Sequence, residues 1–91
     1  MSGRLVRIHG KVQGVWYRAW TVKQATRRGL RGWVRNRQDG SVEAFFAGDA
    51  AAIEEMIAAC RIGPPLAKVT SIASEATAEE PPEGFENRAT A

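Results

Sequence analysis

Asp39-Gly40 stands between two short runs of strand-forming residues, Leu30 to Asn36 and Ser41 to Ala47. This dipeptide tolerates the positive φ that tight hairpin turns demand, so the two runs are expected to pair as neighbouring antiparallel strands. In the second run Val42, Ala44 and Phe46 alternate with Glu43 and Phe45, the period of a strand with one buried face. Whatever fold the chain adopts has to be built around this hairpin.

On either side of the hairpin the apolar period changes to that of a helix. Asp49 is placed to cap a helix running to about Ile62, in which Ile53, Met56, Ile57 and Cys60 fall at i, i+3, i+4 and i+7. Gly63-Pro64-Pro65 stops it. Tyr17 to Arg28 reads as a first helix with the stripe Tyr17, Trp20, Val22 and Ala25, and Gly29 suits its C′ position. Leu5 to His9 is expected as the first strand, Val6 and Ile8 sharing a face. Ala67 to Ala73 is expected as the fourth, where Val69 and Ile72, three apart, call for a bulge. Residues 75–84 read as a loop, and Phe85 to Thr90 as a short closing strand. The order β-α-β-β-α-β, with that fifth strand, predicts an α+β, ferredoxin-like sandwich: an antiparallel sheet with two helices on one face. At 91 residues the chain is expected to form a single domain over 1–91.

Composition excludes several functions. No apolar run is long enough to span a bilayer, and MSGRLVRIHG lacks a signal-peptide core, so no membrane partner is expected. One cysteine, Cys60, rules out an internal disulfide and fits a reducing, cytoplasmic setting. His9 is the only histidine, and no Cys/His cluster has zinc spacing, so neither a metal nor any other cofactor is expected. A Walker-type loop is absent too. Nothing demands more than a monomer. Charge is sharply divided: residues 1–38 hold ten of the thirteen Lys and Arg and no acid, while residues 39–91 hold all ten acids. The positive half would concentrate a small anion or a nucleic acid.

The stretch GKVQGVWYRAWT, residues 10–21, carries the chemistry. A strand running through glycines into a helix leaves amide groups at the helix start without intrahelical acceptors. Gly14 lets an anion approach the backbone, and Arg18 adds a planar cation suited to phosphate oxygens. The second polar candidate is Asn36, at the end of the second strand, which this topology could bring close to the helix start. An arginine, a nest of amides and a neutral carboxamide can hold a phosphoryl group and orient water. They cannot remove a proton strongly, so the leaving group must depart unaided, as the carboxylate of an acyl phosphate does.

VQGVWYR at 12–18, followed by GLRGWVRNRQDGSVE at 29–43, closely resembles the signature of the acylphosphatase family, and AGDAAAIEEMIAACRIGPPLAKV is also similar. The resemblance implies a ferredoxin-like hydrolase that splits small acyl phosphates into carboxylate and inorganic phosphate without a metal. It implies that Gln13, Gly14, Val15, Trp16 and Tyr17 form the phosphate loop, with Arg18 binding phosphate and Asn36 positioning the water. Inorganic phosphate is then both product and inhibitor. Two departures stand out: Tyr17 replaces a common phenylalanine, and Asn87 stands where an aliphatic residue is common.

The competing reading is a non-enzymatic ferredoxin-like module that binds nucleic acid or another polyanion. Trp16, Trp20, Trp33 and Tyr17 would stack bases among the arginines. The RNP strand motifs of such modules are absent, which disfavours nucleic acid as a partner. By default these aromatics are packing residues, Cys60 is a small core residue, and His9 has no catalytic role. Arg27, Arg28, Arg31, Arg35 and Arg37 read as a solvated rim, and Glu79, Glu80 and Glu83 as loop solubilisers.

Overall fold

A computed structural model describes residues 2–91. In chain order the elements are β1 (Ser2–Lys11), α1 (Tyr17–Arg27), β2 (Arg31–Asn36), β3 (Val42–Gly48), α2 (Ala50–Ile62), β4 (Lys68–Ala76) and β5 (Phe85–Asn87). They form one five-stranded sheet in the order β4-β1-β3-β2-β5. The four main strands pair antiparallel, as expected for the ferredoxin-like sandwich. β5 lies parallel to β2, with Val34 opposite Asn87. Residues 77–84 make this possible by carrying the chain across to the far edge of the sheet. β1 runs three residues before and two beyond the expected Leu5 to His9. β4 starts one residue later than expected but takes in Ser74, Glu75 and Ala76, so part of the expected 75–84 loop is strand. Pairing of Ser2 and Gly3 with β3 and of Arg4 to Val6 with β4 accounts for the residues added at the start of β1 and the end of β4.

Local chemistry explains the junctions. The hairpin closes through Gln38-Asp39-Gly40, with Arg37 N donating to Ser41 O and Gly40 at φ 92°. α1 ends in a Schellman arrangement: Gly29 N donates to Thr26 O and Leu30 N to Ala25 O. Asp49 caps α2 by accepting from Ala52 N at 3.1 Å. The expected bulge is present in β4, where the register against β1 shifts between His9 and Gly10 and Thr70 is left over. That slip puts both Val69 and Ile72 on the helix side, packed against the core. A side chain at Gly10 would run into the Lys68 carbonyl, so the bulge also requires glycine there.

Between sheet and helices the core is filled by Val6, Ile8, Val34, Val42, Ala44 and Phe46, together with Ile53, Met56 and Cys60 of α2. α1 lies over β2 and β5, and α2 over β1 and β4. α1 buries Tyr17, Thr21 and Ala25 and leaves Trp20 and Val22 only half-buried. Thr21 is tolerated inside because its hydroxyl donates to Tyr17 O at 2.8 Å. The Tyr17 hydroxyl in turn donates to Cys60 O at 2.6 Å, satisfying a carbonyl in the last turn of α2. A phenylalanine could not do this. Burial, followed by the charge and hydrogen bonding of the neighbouring Cys60 thiol, pushes the Tyr17 hydroxyl far above its ordinary pKa, and burial raises the Cys60 thiol to about 12. Cys60 is thus an inert core thiol.

The face of the sheet away from the helices is also structured. Leu5, Trp33, Phe45 and Ala47 form a small apolar cluster, and the guanidinium groups of Arg35 and Arg88 lie over the Trp33 ring at 4.8 and 5.1 Å. Glu79, expected as a solubiliser, accepts from Trp33 Nε1 at 2.8 Å. The arginines expected to form a solvated rim are partly committed as well. Arg31 donates to Pro82 O and Pro81 O, tying residues 81–82 to the edge of β2. Arg7, Arg35 and Arg37 converge on the buried carboxylate of Glu43 at 3.3, 2.8 and 3.3 Å.

Burial alone would raise the Glu43 pKa, but the hydrogen bond and charge of Arg35, followed by those of Arg7, outweigh it and hold the carboxyl below its ordinary value. A depressed carboxylate stabilises the fold fully above its unfolded pKa, and that contribution is lost as pH falls through the folded value. Glu43→Gln is therefore expected to cost about 2 kcal/mol at neutral pH. In paired urea titrations, the gap between wild type and variant should close as the pH drops below about 4.

Candidate active site

The link between β1 and α1 runs from Val12 to Trp16, and its backbone is unusual. Gly14 has φ 73° and Trp16 φ 67°, two left-handed residues flanking Val15. Alternation of this kind turns successive amides toward a common centre, a nest for an anion. Among the described residues, no amide from Gln13 through Ala19 donates to a backbone acceptor, nor does a side chain cap the start of α1. The first turn of α1 also holds no acid to compete for these donors. Among the described residues Trp16 is the only non-glycine residue with positive φ, a conformation that costs roughly 1–2 kcal/mol. Its indole is 78% exposed.

Two anchors hold the turn in place. Val12, Val15 and Tyr17 are buried. The Gln13 carboxamide reaches the β2–β3 hairpin, donating to Arg37 O at 2.7 Å and Ser41 O at 2.8 Å. The start of α1 is thereby stapled to the loop that begins at Asn36.

The turn opens onto a cavity of about 380 Å³ lined by Val12, Gly14, Trp16, Tyr17, Arg18, Ala19, Asn36 and Asn87. Arg18 and Asn36, the two residues singled out for chemistry, therefore share one wall space. The Gly14, Trp16 and Tyr17 of the expected phosphate loop also line it. Gln13 and Val15 do not: the Gln13 side chain is spent on the hairpin and Val15 on the core, so any part they play in holding an anion falls to their backbone amides. Arg18 Nη1 donates to Arg88 O at 3.3 Å, which aligns the guanidinium along the segment following β5. Asn87 is the lining residue that sequence reasoning missed. Its signal was present, a polar residue where an aliphatic one is common, but its orientation depended on the parallel pairing of β5 with β2. His9 and Cys60 lie outside the cavity. Among the described residues, no group of His, Cys, Asp and Glu could hold a metal ion, nor is any helix long and apolar enough to cross a membrane.

The chain thus has the ferredoxin-like fold, with a turn of unpaired amides at the start of its first helix facing a cavity shared with Arg18 and Asn36. A family model described as Acylphosphatase matches residues 5–87. The chain is 58% identical to a protein named acylphosphatase from Acidiphilium cryptum, over 99% of both chains. It is 56% identical to one from Rhizorhabdus wittichii, over 96% of this chain and 88% of that one. The solved structure of an acylphosphatase from Coxiella burnetii superposes with a TM-score of 0.92 at 33% identity, over 96% of this chain and 92% of that chain. The chain belongs to the acylphosphatase family.

A Cβ built on Gly14 meets nothing within 4 Å, so Gly14→Ala is sterically free to fold and bears only the cost of its positive φ, about 1 kcal/mol. The added methyl does, however, stand where an anion would approach the amides. Thermal melts are expected to shift by a few degrees only, while calorimetric titration with inorganic phosphate should show affinity reduced about tenfold.

Proposed function

We propose that this acylphosphatase hydrolyses small acyl phosphates within one domain, with phosphate held by the turn and Arg18 and the attacking water oriented by Asn36. The observation that carries the reading is the meeting of free amides, Arg18 and Asn36 in one cavity. The phosphoryl oxygens accept from the unpaired amides of residues 14–19 and from the Arg18 guanidinium, which together offset their charge as the transition state forms. Asn36, whose carboxamide has no protein partner among the described residues, holds a water in line with the bond that breaks. Water oxygen bonds to phosphorus, and the bond from phosphorus to the acyl oxygen breaks. The carboxylate leaves as a stable anion, and the proton of the water passes to a phosphate oxygen. No protein base is needed, and none stands in the cavity.

Inorganic phosphate, which fits the same seat, is expected to inhibit competitively. The chain is proposed to work as a monomer in the cytoplasm, a setting that suits its lone, buried thiol.

The polyanion-binding alternative loses its platform. Trp33 is buried and covered by the guanidinium groups of Arg35 and Arg88, and Arg7, Arg35 and Arg37 are drawn together on Glu43 rather than spread for phosphates.

Assays on acetyl phosphate in EDTA should show full activity and competitive inhibition by phosphate. Arg18→Ala is expected to abolish both turnover and inhibition. Asn36→Ala should lower kcat by about a hundredfold or more with the phosphate inhibition constant within about twofold of wild type. Full activity in Asn36→Ala would remove its water-positioning role.

A further inference from the structure

The cavity holds one polar side chain that the proposed reaction leaves idle. Asn87 lies on β5, beside Val34 in the parallel pairing, and so shares the helix-facing side of the sheet with Val34 and Asn36. Two residues earlier on the same face, Phe85 stacks on Phe46 with ring centres 5.7 Å apart and anchors β5 to the core. Asn87 is then left at the open end, over the cavity rather than the core.

The backbone around it is fixed. Arg88 N donates to Val34 O at 2.8 Å, Ala91 N donates to Asn36 O at 3.0 Å, and Arg18 reaches the Arg88 carbonyl. The Asn87 carboxamide itself has no hydrogen-bond partner among the described residues. A neighbouring strand and two residues of rise separate it from Asn36, about 8 Å in all. The two amides therefore occupy different positions along the cavity lining. In-line displacement sets the acyl group on the side of phosphorus away from the attacking water. Asn87 is the polar, uncharged side chain of the cavity lining that neither the phosphate nor the water engages in the proposed arrangement, and the exposed Trp16 indole adds an apolar wall to the same cavity.

Resting on the acylphosphatase reading, we propose that Asn87 is a specificity-determining residue: its carboxamide hydrogen-bonds the acyl portion of the substrate. It favours acyl phosphates that carry a hydroxyl or similar hydrogen-bonding group next to the carbonyl over plain alkyl ones. A carboxamide both donates and accepts, so it can pair with either kind of group. Discrimination arises because the alkyl analogue leaves that amide unpaired once the substrate has displaced its water.

Glycoloyl phosphate and propionyl phosphate make a matched pair of probes, differing in a hydroxyl against a methyl. With spontaneous hydrolysis subtracted, wild type is expected to favour glycoloyl phosphate in kcat/KM by about tenfold. Asn87→Val, which suits a strand, should bring that ratio close to one, with propionyl phosphate turnover and phosphate inhibition within about twofold of wild type. Asn87→Ser, which keeps a hydrogen-bonding group, should retain part of the preference and serves equally if the valine variant does not fold. No preference in wild type, or an unchanged preference in the variants, would overturn the assignment of Asn87 while leaving the acylphosphatase reading standing. Absence of turnover of both probes by wild type would overturn that reading, and this inference with it.

Discussion

The site depends on one carboxamide that takes no part in the chemistry. Gln13 donates both of its protons to the β2–β3 hairpin, to Arg37 O and Ser41 O. Through these two bonds the amide nest at the start of α1 and the residue at the end of β2 are held as one unit. Without them Gly14 and Asn36 belong to separate pieces of chain, and phosphoryl transfer that relies on positioning would lose its basis. Tyr17 performs a similar task on the other side, fixing the first residue of α1 to the last turn of α2. The seat is rigid because both of its neighbours are.

This rigidity explains how the turn can remain unsatisfied. Free amides and a strained Trp16 are costs that a mobile loop would relax away. Buried Val12, Val15 and Tyr17 prevent that, since relaxing the turn would pull three side chains out of the core. The charges are divided by the sheet. On its outer face Glu43 gathers Arg7, Arg35 and Arg37. On the helix face Arg18 bonds only a carbonyl, so its charge is not neutralised by an acid. A sequence with ten basic residues in its first 38 thus leaves a single arginine lining the cavity.

Much of the frame was legible from local chemistry. Asp39-Gly40 located the hairpin, Asp49 and Gly63 bounded α2, Gly29 ended α1, and the misfit of Val69 with Ile72 foretold the bulge. These signals act within a few residues of where they are read. What escaped was set by long-range pairing. The parallel placement of β5 depends on residues 77–84 crossing the sheet, and three residues of strand carry too little pattern to reveal it. The gathering of arginines on Glu43 appears only when β1, β2 and β3 lie side by side. The Gln13 staple was hidden for the same reason: within the motif that resembles the family signature, its side chain could serve either phosphate or hairpin. Trp16 gives no hint of a left-handed backbone, because tryptophan has no preference for it. Of the residues that line the cavity, Arg18, Gly14 and Asn36 were already singled out by the sequence, and Asn87 became visible as a lining residue only through register.

On the proposed mechanism an anion is expected to sit on the free amides at the start of α1. Titrating the 15N-labelled protein with inorganic phosphate, and following every amide and arginine Nε resonance, tests it directly. Saturable shifts are expected to concentrate at Gly14 to Ala19 and Arg18 Nε, with Asn36 affected less and Arg7, Arg35 and Arg37 unmoved. Shifts centred on Arg7, Arg35 and Arg37, with the residues of the turn unchanged, would contradict it.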